Sequence, residues 1–168
     1  MNTKWIAQNS ILITLALIIS YVERLIPVNS LLPVPGFKLG LANIVTVYIL
    51  INLDYKSLFS VTVLRCILAN FLFGSMMSLV FALSGAFFAI IIMIILKRGY
   101  EKYFSIIGIS IAGATMHNTG QIIAASFILN TGIVFSYLPV LLLSSILTGI
   151  ITGIIADKIS NRLSKTII

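Results

Sequence analysis

The chain has 168 residues, 60% of them hydrophobic and only 9% charged. A soluble domain carries about 25% charged residues, so composition excludes an ordinary water-soluble fold and points to an all-α integral membrane protein, a single transmembrane domain over 1–168. The net charge of +7 does not indicate a nucleic-acid partner, because the cations gather at the ends of apolar runs, where a membrane protein places them.

The first predicted span covers 6–22. Lys4 before an apolar run resembles a signal peptide, but no small-residue cleavage site follows and the run ends in Tyr21-Val-Glu-Arg24, so it reads as an uncleaved helix. A loop is expected over 23–38, where Pro27, Pro33 and Pro35 fix φ and remove backbone donors. Its many apolar residues suit the bilayer surface or a cover folded over a cavity. The second span, 39–53, rises only roughly 22 Å against a hydrocarbon core of ~30 Å. Val34–Lys38 is therefore expected to complete the depth as irregular backbone, which a membrane tolerates only against protein or water.

The third span, 58–73, follows the turn Asp54-Tyr-Lys-Ser57, and the fourth, 76–96, follows Gly74-Ser75. Ser78, Ala82, Gly85, Ala86 and Ala89 predict close helix contact along the fourth. The fifth span covers 103–129 after the charged stretch Lys97–Lys102, and Asn130-Thr-Gly132 ends it as a loop. The sixth, 137–156, carries Ser145-xxx-Gly149-xxx-Gly153 as a small-residue packing face, and a basic tail follows from Asp157. The expectation is a compact bundle of about six transmembrane helices.

Even numbers of spans put both termini on one side. With that side cytoplasmic, the inner segments hold Lys4, Lys56, Lys97, Arg98, Lys102, Lys158, Arg162 and Lys165, and the outer ones only Arg24 and Lys38. The positive-inside rule favours this orientation, in a bacterial plasma membrane crossed several times.

Polar residues inside the spans are the candidates for function. Arg65 lies near the centre of the third span, where a charge is expensive and usually functional; its structural alternative is solvation by backbone carbonyls. His117, Asn118 and Gln121 cluster in the fifth span. They either bond neighbouring helices or line a polar cavity. Counting from Tyr103, His117 is expected roughly 21 Å up, in the outer half. Asn43 sits one turn inside the second span, and Lys38 is the loop's cation just before it. Lys38, Asn43, Arg65, His117, Asn118 and Gln121 are the candidate ligand-binding set, a cup opening outward under the proline loop, provided the second, third and fifth helices are neighbours.

Other chemistry is disfavoured. The four acids, Glu23, Asp54, Glu101 and Asp157, are scattered, so paired-carboxylate catalysis and magnesium–diphosphate binding lack their clustered oxygens. No Gly-rich phosphate loop with a lysine is present, and the single Cys66 gives no disulfide and no metal spacing. No metal, cofactor or catalytic residue is expected in the chain on its own. A ligand with an anionic end and an apolar or ring-like body, such as a flavin or isoprenoid type of molecule, suits the cup.

The residues Val34-Pro-Gly-Phe-Lys-Leu-Gly-Leu-Ala-Asn43, then Arg65, Ser105-Ile-Ile-Gly-Ile-Ser110 and His117-Asn-Thr-Gly-Gln121 resemble the Gx transporter family, also called heptaprenyl diphosphate synthase component I. The resemblance covers nearly the whole chain. It implies about six helices similar to the substrate-capture subunits of energy-coupling-factor transporters, and partners among transporter energising modules, prenyl synthases or flavin-linked electron-transfer proteins. Prenyl synthases use aspartate-rich motifs, and this chain has no aspartate pair. Many substrate-capture subunits dock through Ala-xxx-Ala in the first helix; the nearest match here is Ala16-xxx-Ser20.

Overall fold

The structure, a computed structural model, describes residues 3–25 and 40–166, with side chains to residue 162. The expected proline loop and Lys38 lie outside the described residues. Among the described residues six α-helices follow one another: α1 (Thr3–Leu25), α2 (Asn43–Asn52), α3 (Tyr55–Phe73), α4 (Met76–Lys97), α5 (Ile106–Leu129) and α6 (Leu138–Thr166), with a 3-10 turn at Ile133–Tyr137 before the last. No strand occurs among the described residues. The helices α1, α3 and α4 and the stretch 133–162 are long and apolar enough to cross a membrane, and α2 is a shorter apolar helix. At 24 residues α5 is equally long, but the polar run from His117 to Gln121 interrupts its apolar sequence. Most of these helices turn large apolar side chains outward, among them Leu15, Phe71, Phe87, Phe127 and Leu147, as a membrane protein does.

Local chemistry sets the helix ends. The Asp54 carboxylate accepts from the Ser57 amide at 3.1 Å and the Ser57 hydroxyl at 2.7 Å, which caps α3. Ser75 and Ser78 form a reciprocal capping box on α4. Ser105 caps α5 through the Gly108 amide, so this helix starts at Ile106 and not at Tyr103 as expected. Tyr103 and Phe104 belong instead to a bend in which both amides donate to the Gly99 carbonyl, and Glu101 takes a left-handed φ of 66°. Asn130, at φ 48°, ends α5 in the left-handed conformation asparagine tolerates.

Three further boundaries differ from the sequence reading. The first helix continues through Glu23, which was expected in the loop. It is 7% exposed, and its Oε1 accepts from the Gly40 amide at 2.5 Å, tying the end of α1 to the start of α2. The second helix is shorter than its apolar run, because Gly40 adopts φ +74° and residues 41–42 form a turn. The expected tail is the last part of α6, as its alternation of apolar and polar residues continues a helical face: Ala156 and Ser160 stay buried.

In the bundle, α5 packs between α4 and α6, and α1 lies against α3. The short α2 contacts all five other helices. Val47, Ile49 and Leu50 of α2, Leu58 and Val61 of α3, Met93 of α4 and Ile109 of α5 form one core with Leu12 and Ala16 of α1. One end of the bundle gathers the start of α1, the α2–α3 turn, the 98–105 bend and the end of α6. Lys97 Nζ donates to the Leu50 carbonyl and stacks over Tyr55. Ser160 Oγ donates to Asn52 Oδ1 at 2.9 Å. Both ends of the described chain thus lie at the same end of the bundle.

The predicted packing faces are present. A Cβ on Gly149 would fall 2.6 Å from Ile111 Cα, and one on Gly153 2.7 Å from Ile107 Cα. Only glycine lets α6 approach the α5 backbone this closely. A hydroxyl seam runs along the contact, with Ser110 and Thr152 oxygens 2.7 Å apart.

Candidate functional site

Arg65 lies on the buried face of α3, in phase with Leu58, Val61 and Thr62. It is 9% exposed. Its Nε has no hydrogen-bond partner, nor does Thr62 Oγ1 one turn below or Asn9 Oδ1 on α1. The chain's acids sit elsewhere: Glu23 near the far end of α1, Asp54 at the cap of α3, Glu101 in the 98–105 bend and Asp157 low on α6. A buried cation without a counter-charge costs several kcal/mol relative to water, so this side chain is the main electrostatic anomaly of the bundle.

Depth follows from rise per residue. The α2–α3 turn sets the joined ends of both helices level, so Asn43 stands roughly 14 Å above Asn52 and Arg65 roughly 15 Å above Tyr55. His117 is at the middle of α5, roughly 16 Å above Ile106. Counted from Ile106, where the helix begins, rather than from Tyr103 in the bend before it, the histidine stands lower along the helix than expected. Asn43, Arg65, His117 and Asn118 therefore form one polar layer near mid-bundle, each buried.

The layer is not a single facing cluster. The helices α2 and α3 touch, as do α2 and α5, but α3 and α5 do not contact each other. Of the three expected neighbours, two pairs meet and the third is bridged by α2 and α4. His117 packs onto Gly85 of α4, where a Cβ would fall 2.9 Å from its Nδ1. Asn118 Nδ2 donates to Ser145 Oγ at 2.8 Å and to the Leu141 carbonyl at 3.2 Å, joining α5 to α6. Gln121, one turn higher, is half-buried. Asn43 heads α2, its amide group turned back toward Gly40. Sequence reading missed Asn9, Thr62 and Glu23 as buried polar groups. Thr62 was legible as Arg65's neighbour at helical spacing, whereas Asn9 and Glu23 needed the packing of α1.

The end of the bundle that holds the α2–α3 turn carries titrating groups that shift. The side-chain hydrogen bond from Ser57 holds the Asp54 carboxyl below its ordinary range, with a smaller share from Trp5. Burial pushes Tyr100 up, aided by the charges of Glu101 and Asp157. Among the described residues, no three His, Cys, Asp or Glu side chains gather as a metal site would require.

No curated protein and no solved structure matches the chain significantly. A family model described as heptaprenyl diphosphate synthase component I matches residues 12–159. The helical bundle with its long apolar helices, the buried polar layer and this match over most of the sequence agree, and the chain belongs to the heptaprenyl diphosphate synthase component I family.

Proposed function

We propose that the protein is a substrate-binding membrane subunit of a small-molecule transporter, similar to a substrate-capture component, for an anionic or amphipathic ligand of flavin or isoprenoid type. The observation that carries this reading is the buried Arg65, whose Nε has no partner. An anionic group on a ligand relieves that cost, and an apolar body fits a bundle whose core is aliphatic. Of the other sequence candidates, Asn43 stands on a helix that touches the helix of Arg65, whereas Asn118 is bonded to Ser145 and Leu141. The orientation we propose puts both termini in the cytoplasm of a bacterial cell. It is supported by Lys97, Arg98, Lys102, Lys158 and Arg162 lying toward the end of the bundle that holds the α2–α3 turn. Reporter fusions after Ser75 and Asn130 then read extracytoplasmic and one after Gly99 cytoplasmic.

The test is purification in a mild neutral detergent followed by mass spectrometry of the retained small molecules. Wild type is expected to carry an anionic compound that Arg65→Gln loses while its circular dichroism stays helical. If Arg65→Gln retains the same compound, the reading fails. A second reading rests on the family description: a non-catalytic membrane partner of a prenyl-diphosphate synthase. Co-purification with an aspartate-rich synthase, without a retained ligand, selects it.

A further inference from the structure

We infer that Thr62 is a second anchor at the Arg65 site: its hydroxyl and the guanidinium Nε, one turn apart on one face of α3, donate to the same anionic oxygen group of the ligand, a carboxylate or a phosphate monoester. This role rests on the reading that Arg65 meets an anionic ligand.

A helical threonine ordinarily returns its hydroxyl to a carbonyl of the preceding turn. Thr14, Thr119 and Thr152 do so, on the Ser10, Thr115 and Thr148 carbonyls. Thr62 does not: it is 2% exposed and its Oγ1 has no partner. Arg65, three residues on, is buried on the same face, and its Nε is unpartnered too. Side chains three apart on a helix are neighbours, and a long one leans back over the turn before it, here the turn that holds Thr62. No bond joins the two to each other. A guanidinium only donates, and a hydroxyl has one proton to give. An anionic oxygen group accepts from both, and charge-assisted bonds of this kind are stronger than neutral ones.

A third open atom lies on α1, the helix that packs against α3. Asn9 is 5% exposed, its Nδ2 donates to the Trp5 carbonyl, and its Oδ1 has no partner. Trp5 meets the Asp54 carboxylate at the start of α3, so α1 and α3 rise together from one level. From there Asn9 stands roughly 6 Å up, Thr62 roughly 11 Å and Arg65 roughly 15 Å. Unmet hydrogen bonding thus occupies successive levels of the α1–α3 pair and is not a peculiarity of one side chain.

The test uses the whole protein in neutral detergent, titrated with octyl phosphate or octanoate, and with octanol as the uncharged tail, while thermal unfolding is followed. At least one of the two anions is expected to raise the unfolding temperature of wild type by about 5 °C, and octanol to leave it unchanged; the anion with the larger effect names the head group. Thr62→Val keeps the shape and removes the hydroxyl. It is expected to weaken affinity for that anion about tenfold, with the ligand-free unfolding temperature near that of wild type. Thr62→Ser, which restores a hydroxyl, is expected to bind within about threefold of wild type. If Arg65→Gln abolishes the response while Thr62→Val, or Thr62→Ala where the valine variant does not fold, binds as tightly as wild type, the Thr62 anchor is overturned and the Arg65 reading stands. A lower ligand-free unfolding temperature with unchanged affinity makes the hydroxyl structural and overturns the anchor as well. If neither anion stabilises wild type, or Arg65→Gln responds equally, both are overturned.

Discussion

The two halves of this bundle satisfy their polar groups differently. Between α5 and α6 the backbones touch at Gly149 and Gly153. Asn118 is bonded across to Ser145 and Leu141, and Ser110 to Thr152. Between α4 and α5, Ser84 Oγ donates to the Gly120 carbonyl at 2.8 Å. On the other side, α1, α2 and α3 bury Asn9 Oδ1, Thr62 Oγ1 and Arg65 Nε without partners, and α2 begins without a side-chain cap. The bonded groups of the first half act as adhesive between helices, and the unbonded atoms of the second half are what the ligand reading rests on.

This contrast can be broken from the tight side first, where the largest effect is expected. Gly149→Val drives a side chain into the Ile111 backbone and should cost about 3 kcal/mol or more. That is a fall of roughly 10 °C in unfolding temperature, measured by fluorescence-detected size exclusion after heating. A variant that unfolds like wild type would show that α5 and α6 are not closely packed. Asn118→Leu comes next. It removes two interhelical bonds and should cost about 1–2 kcal/mol, read as a lower unfolding temperature with no probe present.

On the open side the sign reverses. Arg65→Met removes a buried, uncompensated cation, so without ligand it should raise stability by about 1 kcal/mol and abolish retention of the anionic compound. A loss of stability on that substitution would instead make Arg65 a structural partner. The smallest effect concerns acid. Asp54 has a folded pKa below the usual 3.8 because of Ser57, so its capping contribution is present above that value and is lost as pH falls through the lower folded one. Asp54→Asn should flatten the acid limb of the stability profile in that window and leave neutral pH nearly unchanged.

Where the physics is local, the residues alone were enough. Six apolar runs, their turn residues and the small-residue stripes on α4 and α6 follow from bilayer thickness and helix period, and the structure places a helix on each run. The polar layer was visible too, since Arg65 and His117-Asn118 are conspicuous in apolar sequence. Partnership could not be read this way. His117 turns toward Gly85 and Asn118 toward Ser145, while Arg65 has no such neighbour for its Nε, and one helical period fits all three outcomes equally well. Sequence already marked the second span as short, but did not show that its helix touches every other described helix. Glu23 reaches Gly40 across seventeen positions. Contacts of that kind depend on how the helices are arranged in space, and only the tertiary structure determines that.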